Sequence, residues 1–153
     1  MSANGSPAVT VVIPCYNAEE FIREAIESVF AQTYENWVIV VVDDGSTDSS
    51  PHILGELRSG REDRIRVISG SNRGACHARN RGIDEASTEY IAFLDADDFW
   101  SPRKLELQVS YLDENPDAVG VTTAYTMANA DGSLSSHSLY FDWNKKTLVD
   151  WAL

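Results

Sequence analysis

The stretch "VTVVIPCYNAEEFIREAIESVFAQTYENWVIVVVDDGS" (Val9–Ser46) decides the fold. It opens on a short β-branched run closed by proline, Val9 to Pro14, which reads as a buried strand. The period then changes to helical. Phe21, Ile22, Ala25, Ile26, Val29 and Phe30 fall on one face, and Asn17 followed by Glu20 resembles a capping box. Trp37 to Val42 is apolar at every position, the pattern of a central parallel strand covered on both faces. Strand, helix, strand in this order is a βαβ unit.

The alternation continues outward. Ser50 is the expected N-cap of a helix from Pro51 to Leu57, and Ile65–Ser69 is a third strand. Gly74–Ala86 reads as a helix weakened by Gly82, and Tyr90–Asp95 as a fourth strand. Ser101 and Pro102 open another helix, with Leu105, Val109 and Leu112 on one stripe. A fifth strand is expected at Ala118–Met127, and the turn Ala130–Gly132 returns a hairpin strand over Ser133–Phe141. The fold class is α/β: a mostly parallel sheet flanked by helices, with a C-terminal hairpin region.

Composition narrows the function. The chain has 153 residues, enough to bury roughly 70% of its unfolded surface in one domain. No apolar run approaches the ~18 residues of a membrane span. The opening "MSANGSPA" (residues 1–8) reads as a flexible lead-in without signal-peptide character. A net charge of −12 argues against nucleic acid or an anionic membrane as the main partner and requires any phosphate ligand to come with a cation, an arginine or helix N-termini. Cys15 and Cys76 have no metal-type spacing and are expected as buried thiols in a reducing cytosol.

In an open parallel sheet ligands bind beyond the carboxyl ends of the strands. Here those ends carry Pro14, Cys15, Tyr16 and Asn17, then Asp43 and Asp44, then Ser69 to Arg73, then Asp95, Ala96, Asp97 and Asp98. No phosphate-cradling glycine motif accompanies them, because Gly70, Gly74 and Gly82 have the wrong spacing. Asp95 and Asp97 flank a small Ala96, and in extended backbone both carboxylates face one ion. That suits a hard divalent cation, Mg²⁺ in particular, which completes its shell with water and phosphate oxygens. The alternative for these aspartates is a solvated turn with N-capping carboxylates, and "DDGSTD" is equally a turn former. Arg73, Arg79 and Arg81 offer partners for a diphosphate or for Asp44, or else surface ion pairs. His77 is read as a packing or solvated residue.

With "IPCYN", "VDDGSTDSS", "ARNRG" and "FLDADDFW" in this order, Val9 to Asn115 resembles the family 2 glycosyltransferases of the GT-A fold. The resemblance implies inverting transfer of a sugar from a nucleoside diphosphate, most often uridine-based, to a saccharide or lipid-linked acceptor. It implies that Pro14, Tyr16 and Asn17 line the base and ribose pocket, that Asp44 accepts from the base and that Asp43 supports its loop. Arg79 would lie near base and diphosphate and Asp95 near the ribose, while small Ala96 lets the donor approach the backbone. Asp97, with Asp95, would hold Mn²⁺ or Mg²⁺, and Asp98 and Trp100 would shape the sugar side. Residues 9–153 would then form the front part of a nucleotide-sugar-binding domain. The general base is expected beyond Leu153, since Asp113, Asp117, Asp131, Asp142 and Asp150 match no base motif. A cytoplasmic protein, peripheral at a membrane's inner face, follows from the same resemblance. The alternatives are a non-catalytic nucleotide-sugar-binding module, a phosphoacceptor receiver domain lacking its lysine, and an aspartyl phosphatase whose motif follows the wrong strand.

Overall fold

The computed structural model of the chain describes residues 8–128 and 134–139. The lead-in Met1–Pro7, the turn Ala130–Gly132 and the segment after Tyr140 lie outside the described residues. Two compact units divide the chain, Met1–Leu105 and Glu106–Leu153.

The first unit is built on four parallel strands, β1 (Val9–Cys15), β2 (Trp37–Asp43), β3 (Ile65–Ser69) and β4 (Tyr90–Phe93), in the order β3-β2-β1-β4. Helices α1 (Ile22–Phe30), α2 (Ser50–Arg58) and α3 (Ala75–Asp84) connect them. β1 is buried along its whole length because strands flank it on both edges. The chain grows outward from β1 to β2 and β3, then returns to place β4 on the other side. The strand order therefore reverses at β1 and β4, which is where an open sheet parts to form a crevice.

Pro14 sharpens that parting. Along β4 the amides of Tyr90 and Leu94 donate to the carbonyls of Ala8 and Val12, at 3.0 and 3.1 Å. The alternation of a parallel ladder makes residue 14 of β1 the next donor, and proline has no N–H. The β1–β4 register accordingly runs only from Val9–Tyr90 to Val12–Phe93, while on the other edge β1 stays paired with β2 through Cys15.

α3 packs against β1 and β2. Val40, Val42, Ile68 and Ala78 form a buried cluster between helix and sheet. A Cβ on Gly82 would stand 2.3 Å from the Val12 Cγ1 atom. The glycine that weakens the helix in sequence terms is what lets α3 lie directly on β1.

α1 buries Ile22, Ala25, Ile26 and Val29, at the spacing of one helical face. Phe21 is not part of that face: it is 47% exposed and precedes the helix. Nor is there a capping box from Asn17. The helix starts at Ile22, and the Asn17 side chain is occupied by Thr47 on another loop. α2 begins at Ser50 itself, one residue ahead of expectation, with Ser49 as its cap residue. Phe30 meets Trp37 edge-on at 5.1 Å, and the guanidinium of Arg64 stacks 3.8 Å from the Trp37 ring.

The cysteines differ from each other. Cys15 is buried as expected, but Cys76 is exposed, because it sits on the face of α3 turned away from the sheet-packed Ala78 and Gly82. Burial and the nearby Asp43 charge push the Cys15 thiol up to about 11. Iodoacetamide at pH 8 should therefore alkylate Cys76 and leave Cys15 untouched, as peptide mass mapping would record. Labelling of Cys15 at a comparable rate would contradict its burial.

α4 (Lys104–Glu114) begins at the end of the first unit. Within the second unit β5 (Tyr125–Ala128) and β6 (Leu134–Leu139) form an antiparallel pair. The fifth strand is shorter than the sequence suggests. Among the described residues no strand pairs with residues 118–124, and Val119 is fully exposed, so no ladder among them holds that stretch extended. Among the described residues no helix is long and apolar enough to cross a membrane.

Candidate functional site: a cleft at the ends of β1, β2 and β4

An open cleft of about 380 Å³ lies where β1 and β4 part. Pro14, Tyr16, Asn17, Asp44, Arg79, Asp95, Ala96 and Asp97 all line it, so every donor-site residue chosen from sequence reaches one cavity.

Asp44 follows β2 and is only 3% exposed. Its amide donates to the Cys15 carbonyl at 2.8 Å, tying the ends of β1 and β2 together. Its Oδ2 accepts the backbone N–H groups of Arg73 at 2.8 Å and Gly74 at 2.6 Å. Burial opposes the charge, but these two amides, with His77 and Asn72 behind them, hold the carboxyl below its ordinary value. Asp44 is thus an anion at neutral pH and can only accept hydrogen bonds.

Glycines make this seat, in roles the sequence did not disclose. A Cβ on Gly70 would stand 2.8 Å from Asp44 Oδ1 and 3.2 Å from its Cα. The Gly70 amide donates to the Asp43 carbonyl at 2.6 Å. Gly74 has φ +93°, a backbone state open to glycine, and so turns two successive amides onto one carboxylate oxygen. These glycines cradle a carboxylate of the protein rather than a phosphate. Their only trace in sequence is that two of them bracket "SNR" immediately after β3.

The opposite wall is clasped to the loop after β2. Asn17 adopts φ 48°, which asparagine tolerates. Its amide donates to Ser46 Oγ at 2.9 Å, and its Oδ1 accepts the Thr47 amide at 2.8 Å. The next two amides follow suit: Ala18 donates to Ser50 Oγ at 2.9 Å and Glu19 to Asp48 Oδ2 at 3.0 Å. Asp43 closes its own loop by accepting the Ser46 amide at 3.0 Å. "DDGSTDSS" is a turn former, as its composition says, but its side chains also fix the position of Tyr16 and Asn17.

The acidic stretch is a turn, not extended strand. β4 ends at Phe93, and the Asp98 amide donates to the Asp95 carbonyl at 3.1 Å. Asp95 and Asp97 still reach the same cleft, so the shared facing expected from strand geometry comes from a turn instead. Arg79 Nη2 donates to Asp95 Oδ1. Burial, then the charges of Asp97 and Asp95, raise the Asp98 carboxyl. The three arginines separate: Arg73 acts through its backbone, Arg79 pairs with Asp95, and Arg81 Nη1 donates to the Ser69 carbonyl at 2.6 Å. Trp100 lies outside the cleft; its amide donates to Ser28 Oγ at 3.1 Å, and Lys104 Nζ stands 5.3 Å from its ring.

The donor set fits a hard divalent cation that brings its own further ligands. Three carboxylates line the cavity; Asp44 is seated on backbone amides, which leaves Asp95 and Asp97 on the acidic turn to face a cation. Among the described residues no group of three or more acidic, histidine or cysteine side chains forms a complete cage.

Residues 10–151 match the profile of Glycosyl transferase family 2. The chain belongs to that family. As a family 2 glycosyltransferase it is similar to the putative teichuronic acid biosynthesis glycosyltransferase TuaG of Bacillus subtilis, at 37% identity over 131 residues, 85% of this chain and 51% of TuaG. It is also similar to the glycosyltransferase GlyA of Streptococcus pneumoniae, at 36% identity over 86% of this chain and 19% of GlyA. The chain thus spans between about a fifth and a half of the length of these curated relatives. Solved glycosyltransferases share its GT-A architecture. S. aureus TarS 1–349 in complex with UDP superposes with a TM-score of 0.65 at 28% identity, covering 71% of this chain and 32% of that one. The mannosyltransferase PcManGT from Pyrobaculum calidifontis, in complex with GDP-Man and Mn²⁺, gives 0.64 at 31% identity, covering 70% and 32%.

Proposed function

We propose that the whole protein transfers a sugar from a nucleoside diphosphate donor, of the UDP-sugar class, to an acceptor hydroxyl with inversion, and that this chain supplies the donor half of the site. The observation that carries the reading is the convergence of Asp44, Arg79, Asp95 and Asp97 on one cleft at the switch point of the sheet. The TarS complex with UDP and the PcManGT complex with GDP-Man and Mn²⁺ support it.

Asp44, anionic and acceptor-only, suits the imide N–H of uracil, while Pro14 and Tyr16 offer apolar surface to the base and Asn17 holds their loop. Arg79 offers the bidentate donor geometry that a diphosphate accepts. Asp97 and Asp95 would hold Mn²⁺ or Mg²⁺, which as a Lewis acid stabilises charge on a leaving diphosphate. Small, buried Ala96 lets the ligand approach the turn backbone. The general base that activates the acceptor, a saccharide or lipid-linked hydroxyl, would come from the rest of the protein. The family resemblance supports a cytoplasmic location, peripheral at the inner face of a membrane in the full protein.

A thermal-shift panel tests the donor site. UDP with Mn²⁺ should raise the melting temperature by roughly 6–12 °C, as saturating ligand stabilises by about 3 kcal/mol at a hundredfold excess over Kd. UDP in excess chelator should give much less. Equal stabilisation with and without the metal would remove Asp95 and Asp97 from a cation role.

A further inference from the structure

Three carboxylates and one guanidinium line the cleft: Asp44, Asp95 and Asp97 face Arg79, the only basic side chain on its walls among the described residues. The Arg73 and Gly74 amides already seat Asp44 through its Oδ2. Arg79 therefore serves the acidic turn, and it does so through Asp95 Oδ1. The pair is open to water, with side chains 34% and 46% exposed, so breaking it carries little of the desolvation cost of a buried ion pair. Its helix is held firmly: Gly82, one turn on from Arg79, rests on Val12. The guanidinium can swing while its backbone stays in place.

We infer that Arg79 is an exchangeable occupant of the cation site, neutralising Asp95 in the free protein and passing to the diphosphate when a divalent cation takes over the carboxylate. The inference rests on the donor-site reading above and adds an order of events to it. Arg79 holds Asp95 through its Nη2, and a divalent cation on the same carboxylate would repel the guanidinium at close range, so the two do not share Asp95. A cation on Asp95 frees Arg79 for phosphate, and phosphate that draws Arg79 away frees Asp95 for the cation. Each ligand thus favours the state that binds the other, so part of their coupling runs through this side chain.

The experiment is calorimetry with MnCl₂ alone, with UDP alone in chelator, and with both, on the wild-type chain and three variants. Arg79→Gln should bind Mn²⁺ alone about three- to tenfold more tightly than wild type, because Asp95 no longer has a resident partner. The same variant should bind UDP in chelator more weakly, and UDP should enhance its Mn²⁺ affinity less than in wild type. Arg73→Gln removes a nearby positive charge from an exposed side chain without touching the pair, and should leave Mn²⁺ affinity close to wild type. In an Asp95→Asn background, Arg79→Gln should no longer tighten Mn²⁺ binding, a comparison that holds whatever each substitution does to stability. Unchanged Mn²⁺ affinity in Arg79→Gln, equal tightening in Arg73→Gln, or a gain that persists with Asp95→Asn overturns the exchange and leaves the donor site standing. Absence of Mn²⁺ binding in every protein, with UDP or without, overturns both.

Discussion

UDP affinity should fall about ten- to hundredfold when Asp44 is replaced by Asn, the loss expected for one hydrogen bond to a charged acceptor. The substitution keeps the shape of the side chain. Its carbonyl oxygen can still take the Arg73 and Gly74 amides, so the loop after β3 stays seated. The negative charge is lost, and an amide NH₂ is placed among donors. Asp44→Ala should be as damaging to binding and worse for the fold, since it strands two inward-facing amides. Calorimetry with UDP, alongside a melting curve, separates the two effects. An Asp44→Asn protein with wild-type affinity for UDP would remove this residue from the base pocket.

The same residue gives a pH signature. The folded carboxyl lies below its ordinary value, so the native state favours the charged form more than the unfolded chain does. That contribution is fully present above the unfolded value near pH 4 and is lost as pH falls through the lowered folded value. Below about pH 4 wild type should therefore lose stability faster than Asp44→Asn. Parallel acid limbs in denaturant midpoints would show that the carboxylate is not held by its amide seat.

Gly82→Ala should cost about 1–3 kcal/mol, although alanine is the better helix former by about 1 kcal/mol. The new methyl would start 2.3 Å from Val12 Cγ1, in the middle of a strand with neighbours on both edges. Val12 is fully buried and cannot turn aside, so α3 must lift. Arg79 lies one turn back on that helix, and its reach to Asp95 and to any ligand moves with it. Stability and UDP affinity should both fall, the melting temperature by roughly 2–4 °C per kcal/mol for a chain of this size. Val12→Ala should rescue much of the loss in the double variant while destabilising the wild type, the sign reversal that identifies a steric contact. If Gly82→Ala is neutral or stabilising, helix propensity governs the position and close packing of α3 does not.

Local pattern carried much of the architecture. Val9–Cys15 and Trp37–Asp43 are too apolar to lie anywhere but inside a sheet, and the intervening helical period makes their connection a crossover. The polar strand ends that follow could all be located from sequence, because the carboxyl edge of a parallel sheet is a property of chain direction. The misreadings fall where a side chain's partner is distant in sequence. Asn17 looks like a cap for the next helix, but Thr47 takes its Oδ1. Phe21 matches the period of α1 yet opens onto the cleft, since the helix begins after it. Residues 118–124 have the composition of a strand, but among the described residues no strand pairs with them.

The acidic stretch "FLDADDFWSP" (Phe93–Pro102) shows the same division. Chain direction and residue type sufficed to put Asp95 and Asp97 at the ligand edge, because both are local properties. Tertiary structure alone decided what satisfies each carboxylate: backbone amides after β3 for Asp44, a guanidinium from α3 for Asp95, and a close Gly82–Val12 contact to set that helix in place. Such pairings depend on which elements lie side by side. Side-by-side placement follows from sheet order and from the missing N–H of Pro14, neither of which leaves a periodic trace along the chain.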